Sequence, residues 1–194
     1  MTKQRWEKAF ANLFSQFAGS KGVAPAEQVT QYWIDDLTTK VYLTDKHPDV
    51  IAVSLTAGEF AQLLNNRDYL SLDGKVEYHL YTENYRKELE AAKDEANTIS
   101  HFKKQKIKSR CMGCTLTSIA FNRSRDEAEI IYSIKIVVSE ATDKFFKTLN
   151  KGRDGKLLDR NVLYEQPYKL NMLKQNGVWK INNFVADSEI TIPE

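Results

Sequence analysis

The stretch Tyr168-Lys169-Leu170-Asn171-Met172-Leu173-Lys174-Gln175-Asn176-Gly177-Val178-Trp179-Lys180-Ile181 decides the fold of this chain. Asn176-Gly177 is a two-residue turn signal, because both residues tolerate the left-handed backbone of a tight hairpin. Apolar residues alternate on either side, with Tyr168, Leu170 and Met172 before the turn and Trp179 and Ile181 after it. A two-residue turn sets the register. Met172 is expected opposite Ile181, and Lys174 opposite Trp179, with their side chains sharing a face.

The same period of two continues toward the N-terminus. Ile130, Tyr132, Ile134, Ile136 and Val138 alternate with Glu129, Ser133, Lys135 and Ser139. Thr117, Ile119 and Phe121 form a strand before them, and Val162 and Tyr164 begin the strand that leads into the turn. Phe145, Phe146 and Leu149 lie in a connection that ends in the turn-rich residues 150–156, and Ile190 and Ile192 are placed to add a short final strand.

Further upstream the period is helical. Trp6, Phe10, Leu13, Phe14 and Phe17 make an aromatic stripe on a helix over about residues 3–18. Pro25 suits the first turn of a second helix, whose face holds Val29, Trp33, Leu37 and Val41. Residues 44–48 break it. Thr56 to Glu59 fit a capping box for a third helix, with Phe60, Leu63 and Leu64 inward. Asp73-Gly74 predicts a short hairpin between residues 69–72 and 75–78. A long helix follows over 81–106, with Tyr85, Leu89, Ala92, Ala96 and Ile99 along its apolar face. The expected class is α+β: N-terminal helices, a short hairpin and a long helix packed on a curved antiparallel sheet of about four main strands.

Composition narrows the function classes. The chain has 194 residues, 28 basic against 26 acidic, and a net charge of +2. That balance argues against a general nucleic-acid coat. No apolar run of about 18 residues is present, so no transmembrane segment is expected. The first residues lack the apolar core of a signal peptide, and two cysteines do not make a disulfide scaffold, so the expected compartment is cytoplasmic.

The closing strand-turn-strand with Trp179-Lys180-Ile181, preceded by Asp126-Glu127-Ala128-Glu129-Ile130 at the entry to the central strand, resembles the nuclear transport factor 2-like superfamily of α+β cones. The resemblance covers roughly residues 56–187. It implies a domain over 56–194, with residues 1–55 as an N-terminal helical extension. Members include enzymes that work inside the cone, such as ketosteroid isomerase and small dehydratases. Others are interaction modules that commonly dimerise through the sheet face. Fold alone does not choose between them.

Cys111-Met112-Gly113-Cys114 is a CxxC, read as two ordinary thiols, a redox pair or half of a metal site; no histidine has ligand spacing, so no metal is expected. His47-Pro48-Asp49 matches a co-chaperone tripeptide, but a Pro-Asp turn is the simpler reading. Lys103, Lys104, Lys106, Lys108 and Arg110 either hold an anionic partner or form a solvated helix end. Residues 150–161 lack the final Glu of a calcium loop. Asn122-Arg123-Ser124 is a glycosylation sequon, meaningful only in a secreted chain.

A cone enzyme needs a carboxylate or histidine facing an apolar pocket. Only Glu140 and His79, with Asp35 and Asp36, offer that chemistry, and Glu140 continues the face of Ile134 and Val138. The expectation is therefore a non-enzymatic binding or scaffold domain with a protein partner, a homodimer included, and no cofactor. Its partner-binding residues are Trp6, Phe10, Phe14, Phe17, Tyr132, Tyr168 and Trp179. Two alternatives remain. One is a small-molecule-binding cone with lyase or isomerase activity. The other is a protein that binds nucleic acid or another anionic surface through the basic helix end.

Overall fold

A computed structural model describes residues 30–36, 39–151, 155–186 and 190–193. The architecture is α+β, with a mixed sheet of seven strands. Four long strands build most of it: β4 (Lys108–Phe121), β5 (Glu127–Glu140), β6 (Leu163–Gln175) and β7 (Val178–Ala186). They pair antiparallel in sequence order. The Asn176-Gly177 turn has φ of +52° and +80°, the two left-handed residues its type requires. Met172 faces Ile181 and Lys174 faces Trp179, the expected register. Register shifts within β4, and one between Asn171 and Met172 of β6, mark bulges, which bend strands and sharpen their twist.

The sheet extends beyond these four. β1 (Gln31–Asp36) runs parallel to the end of β4, β2 (Thr39–Tyr42) pairs antiparallel with β1, and the two-residue β3 (Arg67–Asp68) pairs with the start of β4. The helix expected after Pro25 is thus two strands in its described part. Tyr32, Trp33 and Ile34 are good strand formers, and β4 offers them an edge at Ile119, Ala120 and Phe121. The eight-residue spacing of Trp33 and Val41, two helical steps of four, was therefore no sign of a helix.

Helix α1 spans Pro48–Asn65, starting before Thr56 and running through the expected boundary at residue 55. Pro48 sits at its first position, and the His47 ring accepts a hydrogen bond from the Asp49 N–H as N-cap. Thr56 lies inside the helix and donates its hydroxyl to the Ala52 carbonyl. The hairpin expected over 69–78 is a run of turns instead. Arg67 donates to the Asp73 carbonyl at 2.7 Å, and the Asp73 carboxylate accepts from the Lys75 N–H, so side chains hold this loop in place of a strand ladder.

The long helix is broken into α2 (Glu83–Ala91) and α3 (Asp94–Gln105) at Lys93, which has φ of +54°. The break places Asp94 where the Tyr78 hydroxyl donates to it. A short helix, α4 (Asp143–Leu149), joins β5 to the return toward β6. The expected final strand is a single bridge between Thr191 and Glu165.

The core lies on the inner face of the sheet. Ile119, Phe121, Ile130, Tyr132, Ile134, Leu170, Met172 and Ile181 are buried there, and Phe60 of α1 is fully buried with them. Phe60 meets Phe184 at 4.9 Å between ring centroids, and Tyr81 meets Tyr85 at 5.0 Å. Such edge-on ring pairs add to the burial energy.

Candidate functional site

Three places on the molecule have the makings of a site: the inner face of the sheet, its outer face, and a cleft at the start of β4.

Much of the inner face is filled. Tyr132, Tyr168 and Trp179 are 1%, 6% and 3% exposed, so these expected partner-binding rings belong to the core. The Tyr168 hydroxyl donates to Gln166, and the Trp179 indole N–H donates to Asp49. The Tyr132 hydroxyl has no hydrogen-bond partner among the described residues. Burial, followed by the neighbouring Tyr168, Cys114 and Cys111, pushes that hydroxyl well above the usual tyrosine range. Trp6, Phe10, Phe14 and Phe17 lie outside the described residues.

The cleft has a volume of about 770 Å³ and is walled by the end of α1, β3, the 71–76 loop and the first residues of β4. Its size lies within the range of small-molecule sites, and Arg67, Asp68 and Lys108 on its wall are held in ion pairs. Arg67 and Glu77 are a buried ion pair, with side chains 3% and 5% exposed. Burial raises the Glu77 pKa, and the Arg67 charge pulls the other way. Arg67 also donates to the carbonyls of Leu64 and Asp73, so its guanidinium staples α1 to the loop. Nothing in the spacing of Arg67 and Glu77 marked them, because a buried ion pair leaves no periodic signal.

The expected anion-binding residues do not form one patch in a single setting. Lys103 and Lys104 are exposed in the last turn of α3, and Lys106 follows as its left-handed cap. Lys108 has moved onto β4, where its ammonium lies 3.0 Å from Asp68 and 3.9 Å from Glu140. The hydrogen bond and charge of Asp68 raise its pKa. Arg110 is exposed on β4 at the cleft wall.

The expected acid–base residues are on the surface. Glu140 ends β5 in an exposed position. His79 is exposed in the 3-10 turn Tyr78–Leu80, with Nε2 2.9 Å from Glu59 and Nδ1 3.0 Å from the Val76 carbonyl. Asp35 is exposed and accepts from the Trp33 indole. A surface setting does not supply the desolvation that tunes a catalytic carboxylate. Among the described residues no group of three or more His, Cys, Asp or Glu could hold a metal ion, and no helix is long and apolar enough to cross a membrane.

The outer face carries the residues that alternate with the core. Ile131, Lys169 and Val185 lie in one cross-strand row, and Val137 and Leu163 in another. Ile131 is 41% exposed, Leu163 36%, Val178 54% and Val185 60%. Charges of both signs sit between them. Lys169 bridges to Glu129 at 2.6 Å, and Lys135 stands opposite Glu165.

No family model matches the sequence, and no curated protein matches it. Among solved structures, the intermembrane-space region of the chloroplast protein ARC6 is similar, with a TM-score of 0.40 and 7% identity. The match covers 73% of this chain and 92% of that one. A likeness at that level says nothing of function.

Proposed function

We propose that the chain is a non-enzymatic binding domain, built as a nuclear transport factor 2-like cone, that mediates protein–protein interaction through the outer face of its sheet. One observation carries this reading. The inner face is packed with side chains, whereas the outer face presents Ile131, Leu163, Val178 and Val185 at 36% to 60% exposure. Exposed apolar residues spread along one sheet face, with charges of both signs between them, suit docking.

The first partner we assign to this face is a second copy of the chain. A two-fold interface sets a patch against itself, so it needs both signs of charge within the patch. Glu129, Glu165, Lys135 and Lys169 supply them side by side. A stable contact needs roughly 800 Å² per partner, about the extent of a four-stranded face.

Lysine cross-linking of the full chain, read by mass spectrometry, tests the assignment. A link between Lys169 and Lys169, or between Lys135 and Lys135, can only join two copies. Such homotypic links are expected, and they should vanish in Ile131→Glu. Homotypic links confined to other surfaces would overturn the assignment.

A further inference from the structure

The β4 bulge carries both cysteines. Cys111 lies opposite Ile136, Gly113 opposite Lys135 and Cys114 opposite Ile134, so Met112 is the extra residue. In an unbroken strand, residues three apart point to opposite faces. The inserted Met112 cancels that offset. Both cysteines pair with residues on the buried face of β5, where Ile136 is 3% and Ile134 0% exposed.

The spacing then suits a covalent link. Two residues of strand rise separate the Cα atoms by roughly 6.6 Å, within the usual span of about 4.4–6.8 Å for a disulfide. Gly113 holds φ of +139°, a conformation that residues with side chains rarely adopt, and so lets the bulge form. The Cys111 Sγ lies 3.6 Å from the Gly113 carbonyl oxygen, leaning along the strand toward Cys114. Cys114 is exposed and Cys111 is buried.

We propose that Cys111 and Cys114 are a dithiol that closes to an intrachain disulfide by exchange with a small-molecule disulfide. Cys114 enters first because solvent reaches it. Its thiolate attacks one sulfur of the small disulfide, that S–S bond breaks, and one small thiolate leaves. The Cys111 thiolate then attacks the Cys114 sulfur, the Cys111–Cys114 bond forms, and the second small thiolate leaves. The protein gives up two protons and two electrons, and the small disulfide becomes two thiols. Burial holds the Cys111 thiol above its ordinary pKa, so closure quickens as pH rises.

The test incubates the native full chain with glutathione disulfide, then alkylates free thiols and records intact mass. A urea-denatured sample controls for reagent activity. The expected product is a monomeric chain lighter by two hydrogens, with no free thiol and no retained glutathione. Cys111→Ser should keep one glutathione on Cys114. Cys114→Ser should react at least about tenfold more slowly, because its remaining thiol is buried. If Cys111→Ser does not fold, the wild-type product and the Cys114→Ser rate still decide. Glutathione retained on the wild type, a covalent dimer, or two thiols still free in the native chain would each overturn the proposal.

Discussion

Asp49 ties two distant parts of the chain together with one carboxylate. It sits in the first turn of α1, and its Oδ1 accepts from Lys174 at 2.6 Å and from the Trp179 indole at 3.1 Å. Burial pushes its pKa up, but the hydrogen bonds from Lys174 and Trp179 and the Lys174 charge outweigh that, and the net direction is down. Asp49→Ala should cost about 1–3 kcal/mol in urea unfolding at neutral pH, since it leaves a buried indole N–H without an acceptor. The folded carboxylate holds its proton less tightly than the unfolded one. Its stabilisation is therefore full above the unfolded value, about 3.9, and is lost as pH falls through the lower folded value. The variant should lose less stability than the wild type between pH 5 and pH 2. An equal loss in both would show that Asp49 is not ionised through the fold contact. Tyr132 gives the opposite sign. Its buried hydroxyl is unsatisfied among the described residues, so Tyr132→Phe should be neutral or stabilise by up to about 1 kcal/mol. Destabilisation by Phe in thermal melts would point to a bonded hydroxyl, as a ligand against the inner face of the sheet would require. The sequence marked Tyr132 and Trp179 as alternating strand residues, yet their partners were not legible, because Asp49 lies 130 positions from Trp179.

Among the elements, legibility follows the range of the interactions that decide each one. The four long strands could be read because period-two alternation and the Asn176-Gly177 turn are local signals. β1 could not, because the four-residue steps of its apolar residues read as a helix, and one of its two pairings is with β4, far along the chain. The split of the long helix at Lys93 was hidden, since nothing near Lys93 in sequence breaks a helix. Asp73-Gly74 looked like a hairpin turn but serves close packing. A Cβ on Gly74 would lie 2.8 Å from Glu95 Cγ and 3.1 Å from the Glu95 carbonyl oxygen of α3. Gly74→Ala should therefore cost about 1–3 kcal/mol in equilibrium unfolding. If the variant is as stable as the wild type, α3 does not press on this loop. Lys108 and Arg110 were singled out by composition, but Arg67 on the cleft wall and Glu77 behind it carry no pattern a sequence reading could find.

Across the whole molecule, the sheet separates a filled interior from an open exterior, and that separation is the basis of the assigned function. The inner rings contribute stability, whereas in the outer row of Ile131, Lys169 and Val185 the two apolar side chains are 41% and 60% exposed. Ile131→Glu should leave the fold intact by circular dichroism, because its side chain faces solvent, and should weaken self-association about tenfold or more. An unfolded Ile131→Glu would instead place Ile131 in the core. Sedimentation equilibrium of the unaltered full chain over a concentration series addresses self-association itself. The account predicts a mass that rises with concentration from 22.3 kDa toward twice that value. A constant mass of one chain up to about 100 μM, the weak end of specific association, would contradict it.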